Sequence, residues 1–301
     1  HDDDVTDRLS PTDAAFLYGE EPTTPLHVGG VVIVEPKGDF DFQRVVDVVS
    51  QRLGELPRFR QVGRTVPRHF ARPVWVDDAH FDLTYHVRRS SLPHPGSARQ
   101  LDELVGRLIS RPLDRSRPLW ELYIVEGLAG GRVALVNKTH EALVSRIGAV
   151  DIAAAVLDET ARPPQVRVTP WIPGPGPSEV DLVVDAVADL AARPSEAFDA
   201  ARLWMANLRQ TVTGALNTGA AMADVARRSM RRSPRSSMSA TTPGPRIFAA
   251  TDVSLATVKA IRAAHGGTVN DVILAIVAGA VRSWMLSHGD PVTGGASLAT
   301  L

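Results

Sequence analysis

The residues best suited to chemistry in this chain are the adjacent His140 and Glu141, within the sequence Lys138-Thr-His-Glu141. An imidazole and a carboxylate can each accept and return a proton, so the pair predicts general acid–base catalysis. A zinc protease is excluded, because the signature H-E-x-x-H requires histidine where this chain has Val144. The absence of cysteine excludes disulfides, thiolate metal sites and a cysteine nucleophile.

The flanking sequence places this pair where a strand ends and a helix begins. Residues 121–127 and 132–138 flank Leu-Ala-Gly-Gly, a composition typical of a β-hairpin, and residues 142–160 are predicted to form a helix. Side chains at such a junction often face a cleft. Neighbouring strand residues point to opposite sides, so we interpret His140 as a hydrogen-bonded structural residue, with a role as base as the alternative.

Other elements follow from hydrophobic periodicity and capping signals. The β-branched residues 27–34 predict a strand buried on both faces, and residues 42–53 an amphipathic helix. Ser97-Ala-Arg-Gln100 is a capping box that should start a helix ending before Arg111-Pro112. Residues 246–253 read as a strand, and residues 255–264 as a helix ended by Gly266-Gly267.

A final helix is predicted over residues 269–287. It should bury its apolar positions, which are Val272, Ile273, Ile276, Val277, Ala280, Val281 and Trp284. No uninterrupted apolar run reaches the roughly 18 residues that a bilayer-spanning helix needs, so a soluble or peripheral protein is expected.

Composition and charge bound the domain organisation and the partners. With 301 residues and 44% hydrophobic content, the chain can bury a core, and its net charge of -1 provides no overall field for nucleic acid. The proline-rich stretch that begins at residue 162 predicts a linker. We therefore expect an N-terminal domain over residues 1–161, a linker with connecting helices over 162–245, and the start of a second domain over 246–301.

Four segments together resemble one protein family. They are Leu9-Ser-Pro-Thr-Asp-Ala-Ala-Phe-Leu17, Pro25-Leu-His-Val-Gly-Gly30, Arg117-Pro-Leu-Trp-Glu121 and Thr268-Val-Asn-Asp271. The family is that of the bacterial wax ester synthases/diacylglycerol acyltransferases, and the resemblance extends over essentially the whole chain. It implies the α/β fold of CoA-dependent acyltransferases such as chloramphenicol acetyltransferase, with two similar domains and an active site in a tunnel between them. By this resemblance, only the start of the second domain is expected in residues 246–301.

The resemblance implies transfer of a long-chain acyl group from acyl-CoA to diacylglycerol or a fatty alcohol, without a cofactor. The family motif is H-H-x-x-x-D-G, whose second histidine is the general base. Aligned on it, His140 takes the first histidine, Glu141 the second, Ser145 the aspartate and Arg146 the glycine. Histidine has an ordinary pKa of about 6.5 and glutamate of about 4.3, so the exchange favours altered catalysis. Arg146 is expected to hold the carboxylate of Glu141 ionised.

The other family motifs carry two interpretations each. The resemblance implies that Pro118, Leu119 and Trp120 line a lipid channel, whereas plain core packing is the alternative. Asn270 and Asp271 are implied to provide polar groups near the tunnel, whereas a helix cap made by Thr268 or Asn270 is the alternative. The arginine-rich residues 227–235 read as a solvated basic face or as a site for CoA phosphates or an anionic membrane.

The changed motif leaves a second function open. The leading prediction is an O-acyltransferase of neutral lipid synthesis whose partners are long-chain acyl-CoA and diacylglycerol or a fatty alcohol. The alternative is a catalytically silent homologue that binds lipid or acyl-CoA or regulates an active relative. Condensation by a peptide-synthetase-type domain has no support in the sequence. The lipid substrates predict a cytoplasmic protein, peripheral to the inner face of the plasma membrane or to lipid droplets.

Overall fold

A computed structural model describes residues 7–21, 24–67, 71–144, 157, 171–174, 176–178, 180–185 and 245–290. These fall into two compact units, one of residues 7–185 with 245–248 and the other of residues 249–290. The predicted helix over 142–160 is described only to residue 144, and the arginine-rich residues 227–235 lie outside the described residues. The domain boundaries at residues 161 and 245 stay predictions.

The first unit is built on short helices and strands. In chain order they are α1 (Pro11–Gly19), β1 (His27–Val34), α2 (Phe42–Arg52), β2 (Gln61–Arg64), β3 (Val74–Asp77), α3 (Leu83–His86), β4 (Val87–Ser91), α4 (Ala98–Ile109), β5 (Trp120–Glu126), β6 (Val133–His140) and α5 (Glu141–Val144). The second unit contains α6 (Leu255–His265) and α7 (Val269–Ser287).

A four-stranded sheet with the order β1-β6-β5-β4 organises the first unit. β6 pairs antiparallel with β1 and β5, which confirms the predicted hairpin. β4 pairs parallel with β5, and α4 makes the crossover that parallel neighbours require. β2 and β3 form a separate antiparallel pair.

Both faces of the central strands are covered, which is why most of β5 and the first half of β6 are apolar. On one face Leu122 and Ile124 pack in a cluster with residues of α1 and α2. On the other face Tyr123 and Val125 pack against α4, whose start carries the predicted capping box of Ser97 and Gln100. The sheet therefore lies between two helical layers and holds the end of β6 firmly.

The prediction that residues 27–34 are buried on both faces is wrong. Among the strands that the structure describes, β1 pairs with β6 alone and lies at the edge of the sheet, and Val28 and Ile33 are 41% and 47% exposed. A strand's place in a sheet depends on pairing with distant segments, which local composition does not encode. Gly29 is required for a different reason, because a Cβ there would lie 2.7 Å from the Asn137 carbonyl oxygen.

The second unit confirms the predicted helices but not their burial. α6 ends at Gly266-Gly267, where both glycines have positive φ, and α7 has the predicted bounds. Residues 246–253 are not a strand, because no described segment pairs with them. Only Val272 is buried among the apolar residues of α7.

The prediction that the apolar face of α7 is buried is therefore wrong except at Val272, because no described element covers the rest of that face. The exposed residues include Ile273, Ile276, Val277 and Trp284. By length and composition α7 also qualifies as a membrane-spanning helix. Its uninterrupted apolar run is shorter than a bilayer requires, but the 19-residue helix as a whole has the length and the hydropathy of a membrane-spanning helix.

Candidate active site

The predicted junction between strand and helix is present at the end of β6. His140 is the last strand residue and Glu141 the first residue of α5. Their backbone amides are held by distant carbonyl groups: the His140 N–H donates to Leu119 O at 3.0 Å and the Glu141 N–H to Leu26 O at 3.1 Å. β1 and the approach to β5 thus fix the path of this turn. Ser145 and Arg146 lie outside the described residues.

His140 is completely buried, and a polar group lies beside each ring nitrogen, although Nε2 makes no hydrogen bond within the part of the chain that the structure describes. Its Nδ1 accepts the Ala142 N–H at 3.0 Å, and its Nε2 lies 3.5 Å from Glu20 Oε2. Burial lowers the pKa of His140, while the Glu20 carboxylate opposes that shift. The ring is therefore neutral near pH 7 with its proton on Nε2, as its accepting Nδ1 requires. This geometry agrees with the structural interpretation of His140.

The Glu141 side chain is half-buried at the start of α5. Within the described part of the chain, its carboxylate makes no hydrogen bond or ion pair. A carboxylate in that state can accept a proton from a bound hydroxyl group. The expected contact with Arg146 stays a prediction.

The Pro118-Leu-Trp120 segment packs in the core at the start of β5. Trp120 is fully buried, donates from Nε1 to Phe59 O at 2.7 Å, and stacks on His86 with ring centroids 4.6 Å apart. The Leu119 carbonyl is the acceptor for the His140 amide, so the segment also supports the turn. Its role in lining a lipid channel stays a prediction.

Asn270 and Asp271 lie in the first turn of α7, in the second unit, and both are exposed. The Asp271 carboxylate accepts the Thr268 N–H at 2.7 Å, while Thr268 Oγ1 accepts the Asp271 N–H at 3.1 Å. These bonds form a capping box and lower the pKa of Asp271. The local geometry is the helix cap of the alternative interpretation, made by Thr268, and the tunnel role stays a prediction.

A buried charge network behind the turn was missed in the sequence. Lys138 is 1% exposed, donates to the Arg111 carbonyl and lies 3.6 Å from Glu121 Oε2, which also accepts the Tyr123 hydroxyl at 2.9 Å. Arg88 completes it, 3.2 Å from Glu121 Oε1. Burial lowers the pKa of Lys138 and raises that of Tyr123. Only the β5–β6 register, which pairs Glu121 with Lys138, would have revealed it.

Glu20 and His27 were also missed as partners of the turn. Glu20 follows the last residue of α1, and its side chain is 7% exposed beside His140. His27 pairs with His140 across β1 and β6, and its Nε2 contacts Ile109 O at 2.8 Å. Burial, reinforced by the charge of Lys138, lowers the pKa of His27 to about 4.

A cavity of about 250 Å³ opens beside the end of α1 and β2 and has a mixed polar and apolar lining. Its lining residues are Leu17, Tyr18, Gly63, Thr65, Pro73 and Arg115. Burial raises the pKa of the Tyr18 hydroxyl to about 12, so it can donate a hydrogen bond but not act as a base near neutrality. No group of three or more metal-ligating side chains occurs among the residues that the structure describes.

Comparisons with known proteins agree with this architecture. The family described as the wax ester synthase/diacylglycerol acyltransferase catalytic domain matches residues 9–273. The probable diacylglycerol O-acyltransferase tgs3 of Mycobacterium tuberculosis is 41% identical over 260 residues, which cover 86% of this chain and 96% of that protein. A putative diacylglycerol O-acyltransferase of the same species is 33% identical over 297 residues, which cover 95% of this chain and 61% of the relative.

A solved structure gives the same result. The wax ester synthase/diacylglycerol acyltransferase from Marinobacter aquaeolei matches with a TM-score of 0.60 and 29% identity, over 94% of this chain and 61% of that protein. The match confirms the predicted α/β acyltransferase fold, and the chain spans less than two thirds of that enzyme's length. This chain belongs to the wax ester synthase/diacylglycerol acyltransferase family.

Proposed function

We propose that this protein is an O-acyltransferase that moves a long-chain acyl group from acyl-CoA to diacylglycerol or a fatty alcohol. The observation that carries the proposal is the family match over residues 9–273, which includes the junction of β6 and α5. At that junction lies Glu141, the first residue of α5, which the motif alignment assigns to the position of the family's general base. The names of the relatives, diacylglycerol O-acyltransferase and wax ester synthase, support both acceptor classes.

The proposed reaction assigns the proton transfers to Glu141. Its carboxylate accepts the proton of the acceptor hydroxyl as the oxygen attacks the thioester carbonyl. The tetrahedral intermediate then collapses, the carbon–sulfur bond breaks, and the CoA thiolate leaves and takes up the proton. His140 does not take part in these transfers, because its Nδ1 is occupied by the Ala142 amide and its Nε2 faces Glu20.

A second candidate is a silent homologue that binds lipid or acyl-CoA without turnover. The observation in its favour is the enclosure of His140: the ring is fully buried, its Nδ1 accepts the Ala142 amide and its Nε2 faces the Glu20 carboxylate. A carboxylate is ordinarily a weaker base than the imidazole that the family uses.

Acyl transfer from labelled palmitoyl-CoA to dioleoylglycerol and to hexadecanol separates the two candidates. The proposal expects labelled triacylglycerol or wax ester from the full chain, in amounts that rise with enzyme and time. Saturable binding of palmitoyl-CoA without either product would contradict the enzyme proposal and support the silent homologue. Acetyl-CoA serves as the matched donor control, because it offers the same thioester without the long chain.

We propose further that acyl-CoA is a co-substrate with no additional cofactor, and that the protein acts in the cytoplasm at the inner face of the plasma membrane or at lipid droplets. The support is chemical: diacylglycerol and the products are insoluble lipids that partition into these phases. Flotation of the full chain with vesicles, with and without dioleoylglycerol, tests the attachment. A protein that stays in the soluble fraction with both vesicle types would contradict it.

A further inference from the structure

We propose that Glu20 is a positioning residue for the candidate base, Glu141. The carboxylate of Glu20 contacts the turn between β6 and α5 through both of its oxygens. The inference rests on the proposed function, in which Glu141 is the general base. Glu20 lies outside the family motif at the turn and reaches it only through the fold. It acts through backbone groups and His140, not on substrate.

The first oxygen of Glu20 acts through Leu26, the residue that precedes β1. Oε1 accepts the Leu26 N–H at 3.1 Å, and the Leu26 carbonyl in turn accepts the Glu141 N–H at 3.1 Å. Leu26 is thus held at its N–H by the carboxylate, and its carbonyl oxygen, in the next peptide unit, accepts from the residue that carries the candidate base. This fixes the amide of Glu141.

The second oxygen acts through His140. Oε2 lies 3.5 Å from His140 Nε2, and Nδ1 of the same ring accepts the Ala142 N–H at 3.0 Å. The ring therefore lies between the carboxylate and the amide that follows Glu141, with a hydrogen bond on the amide side and a close electrostatic contact on the carboxylate side. With both chains of contact in place, the amides of residues 141 and 142 are tied to one side chain. Such support determines where the Glu141 carboxylate points.

Burial and charge make this arrangement specific. The side chains of His140 and Glu20 are 0% and 7% exposed, so water cannot replace a polar contact that either side chain loses. Glu20 and the guanidinium of Arg115 are the charged groups that act on His140. Arg115 itself donates to the Leu17 carbonyl at the end of α1. A carboxylate facing Nε2 favours the neutral tautomer with the proton on Nε2.

An amide at position 20 has nearly the same size but cannot serve both contacts. If the amide oxygen of Glu20→Gln accepts the Leu26 N–H, its NH2 group faces the Nε2–H of His140, donor against donor. The ring can relieve this conflict by moving its proton to Nδ1, but Nδ1 then no longer accepts the Ala142 N–H. The substitution is thus expected to loosen the turn with little change in volume.

The test measures the tautomer of His140 in the full chain labelled with ¹⁵N-histidine. The His140 signals are assigned by their loss in His140→Asn. We expect the Nε2–H tautomer in the parent at pH 7.5, and Nδ1–H or a mixture in Glu20→Gln. The matched control is Glu21→Gln, whose glutamate is adjacent and exposed, and it should leave the His140 signals like the parent's. An Nδ1–H tautomer in the parent would overturn the proposal without any variant.

Kinetics provide the second readout. Glu20→Gln should lower kcat for acyl transfer about 10- to 100-fold, with KM for palmitoyl-CoA changed less than about threefold, because the base is displaced and not removed. Glu20→Asp retains the charge and should recover part of kcat and the Nε2–H tautomer. Unchanged His140 signals and unchanged kcat in Glu20→Gln would refute the positioning role. If the parent has no turnover, the acyltransferase proposal fails, while the tautomer still tests the contact.

Discussion

Two family motifs of this chain lie at helix starts, yet their surroundings differ. The His140–Glu141 turn is enclosed by residues from α1, β1 and the approach to β5, and His140 is fully buried. Asn270 and Asp271 start α7 in an exposed segment, held by a cap within the same turn. The first motif depends on contacts between distant parts of the chain and the second on its neighbours. We therefore expect substitutions to affect them unequally.

The largest expected effect contrasts a buried and an exposed tryptophan. Trp120→Ala removes a fully buried side chain beneath the turn and should lower the free energy of unfolding by about 3–5 kcal/mol. Trp284→Ala in α7 removes a side chain that is 39% exposed and should cost less than about 1 kcal/mol. Guanidinium unfolding followed by circular dichroism measures both. Equal losses would mean that α7 is packed as tightly as the sheet.

Acid should weaken the enclosed region because it contains neutral buried histidines. Burial lowers the pKa of His86 to about 4, against the opposing effect of its contact with the Trp120 carbonyl. Unfolding restores a pKa of about 6.5, so between these values the unfolded chain binds more protons. The free energy of unfolding therefore falls as the pH falls from about 6.5 to 4, by roughly 2–3 kcal/mol for this group.

Thermal unfolding of His86→Phe between pH 7.5 and 4.5 tests that sign. The variant should lose less stability over this range than the parent, since a group that takes up a proton on unfolding has been removed. His265→Phe in α6 is the control, because its ring is exposed in the folded state and should leave the pH dependence like the parent's. A steeper acid loss in His86→Phe would contradict the assignment of a neutral ring.

The smallest expected effects concern the two capping boxes. Ser97→Ala at α4 and Thr268→Ala at α7 each remove an acceptor for a first-turn amide. Each should lower the stability of its helix by about 1 kcal/mol. In α4, packed on the sheet, the loss should lower the stability of the whole first unit. In α7 it should appear as faster hydrogen exchange in the first turn alone. A global loss from Thr268→Ala would show that the second motif is coupled to its surroundings.

The same contrast explains which features the sequence predicts. Local signals were sufficient for the capping box at Ser97, the β5–β6 hairpin and the bounds of α7. They gave the bounds of β1 but not its burial, because its edge position depends on pairing with β6. They failed for residues 246–253, which have a strand-like composition but no described partner.

The site follows the same rule. The junction at His140 and Glu141 was predictable because a strand-to-helix change is visible in hydrophobic periodicity. The contact between Glu20 and His140 was not, because it joins α1 to β6 across most of the first unit. Likewise, the Lys138–Glu121 pair requires the strand register, which a single sequence does not reveal.

The central claim is that the Glu141 carboxylate is the working base of an acyl transfer, and Glu141→Gln tests it most directly. Steady-state transfer from palmitoyl-CoA to dioleoylglycerol would be compared between the parent, Glu141→Gln and the exposed control Glu21→Gln. We predict a kcat about 10²- to 10⁴-fold lower in Glu141→Gln with KM nearly unchanged, and parental kinetics in the control. A kcat in Glu141→Gln equal to that of the parent would contradict the claim and require another base.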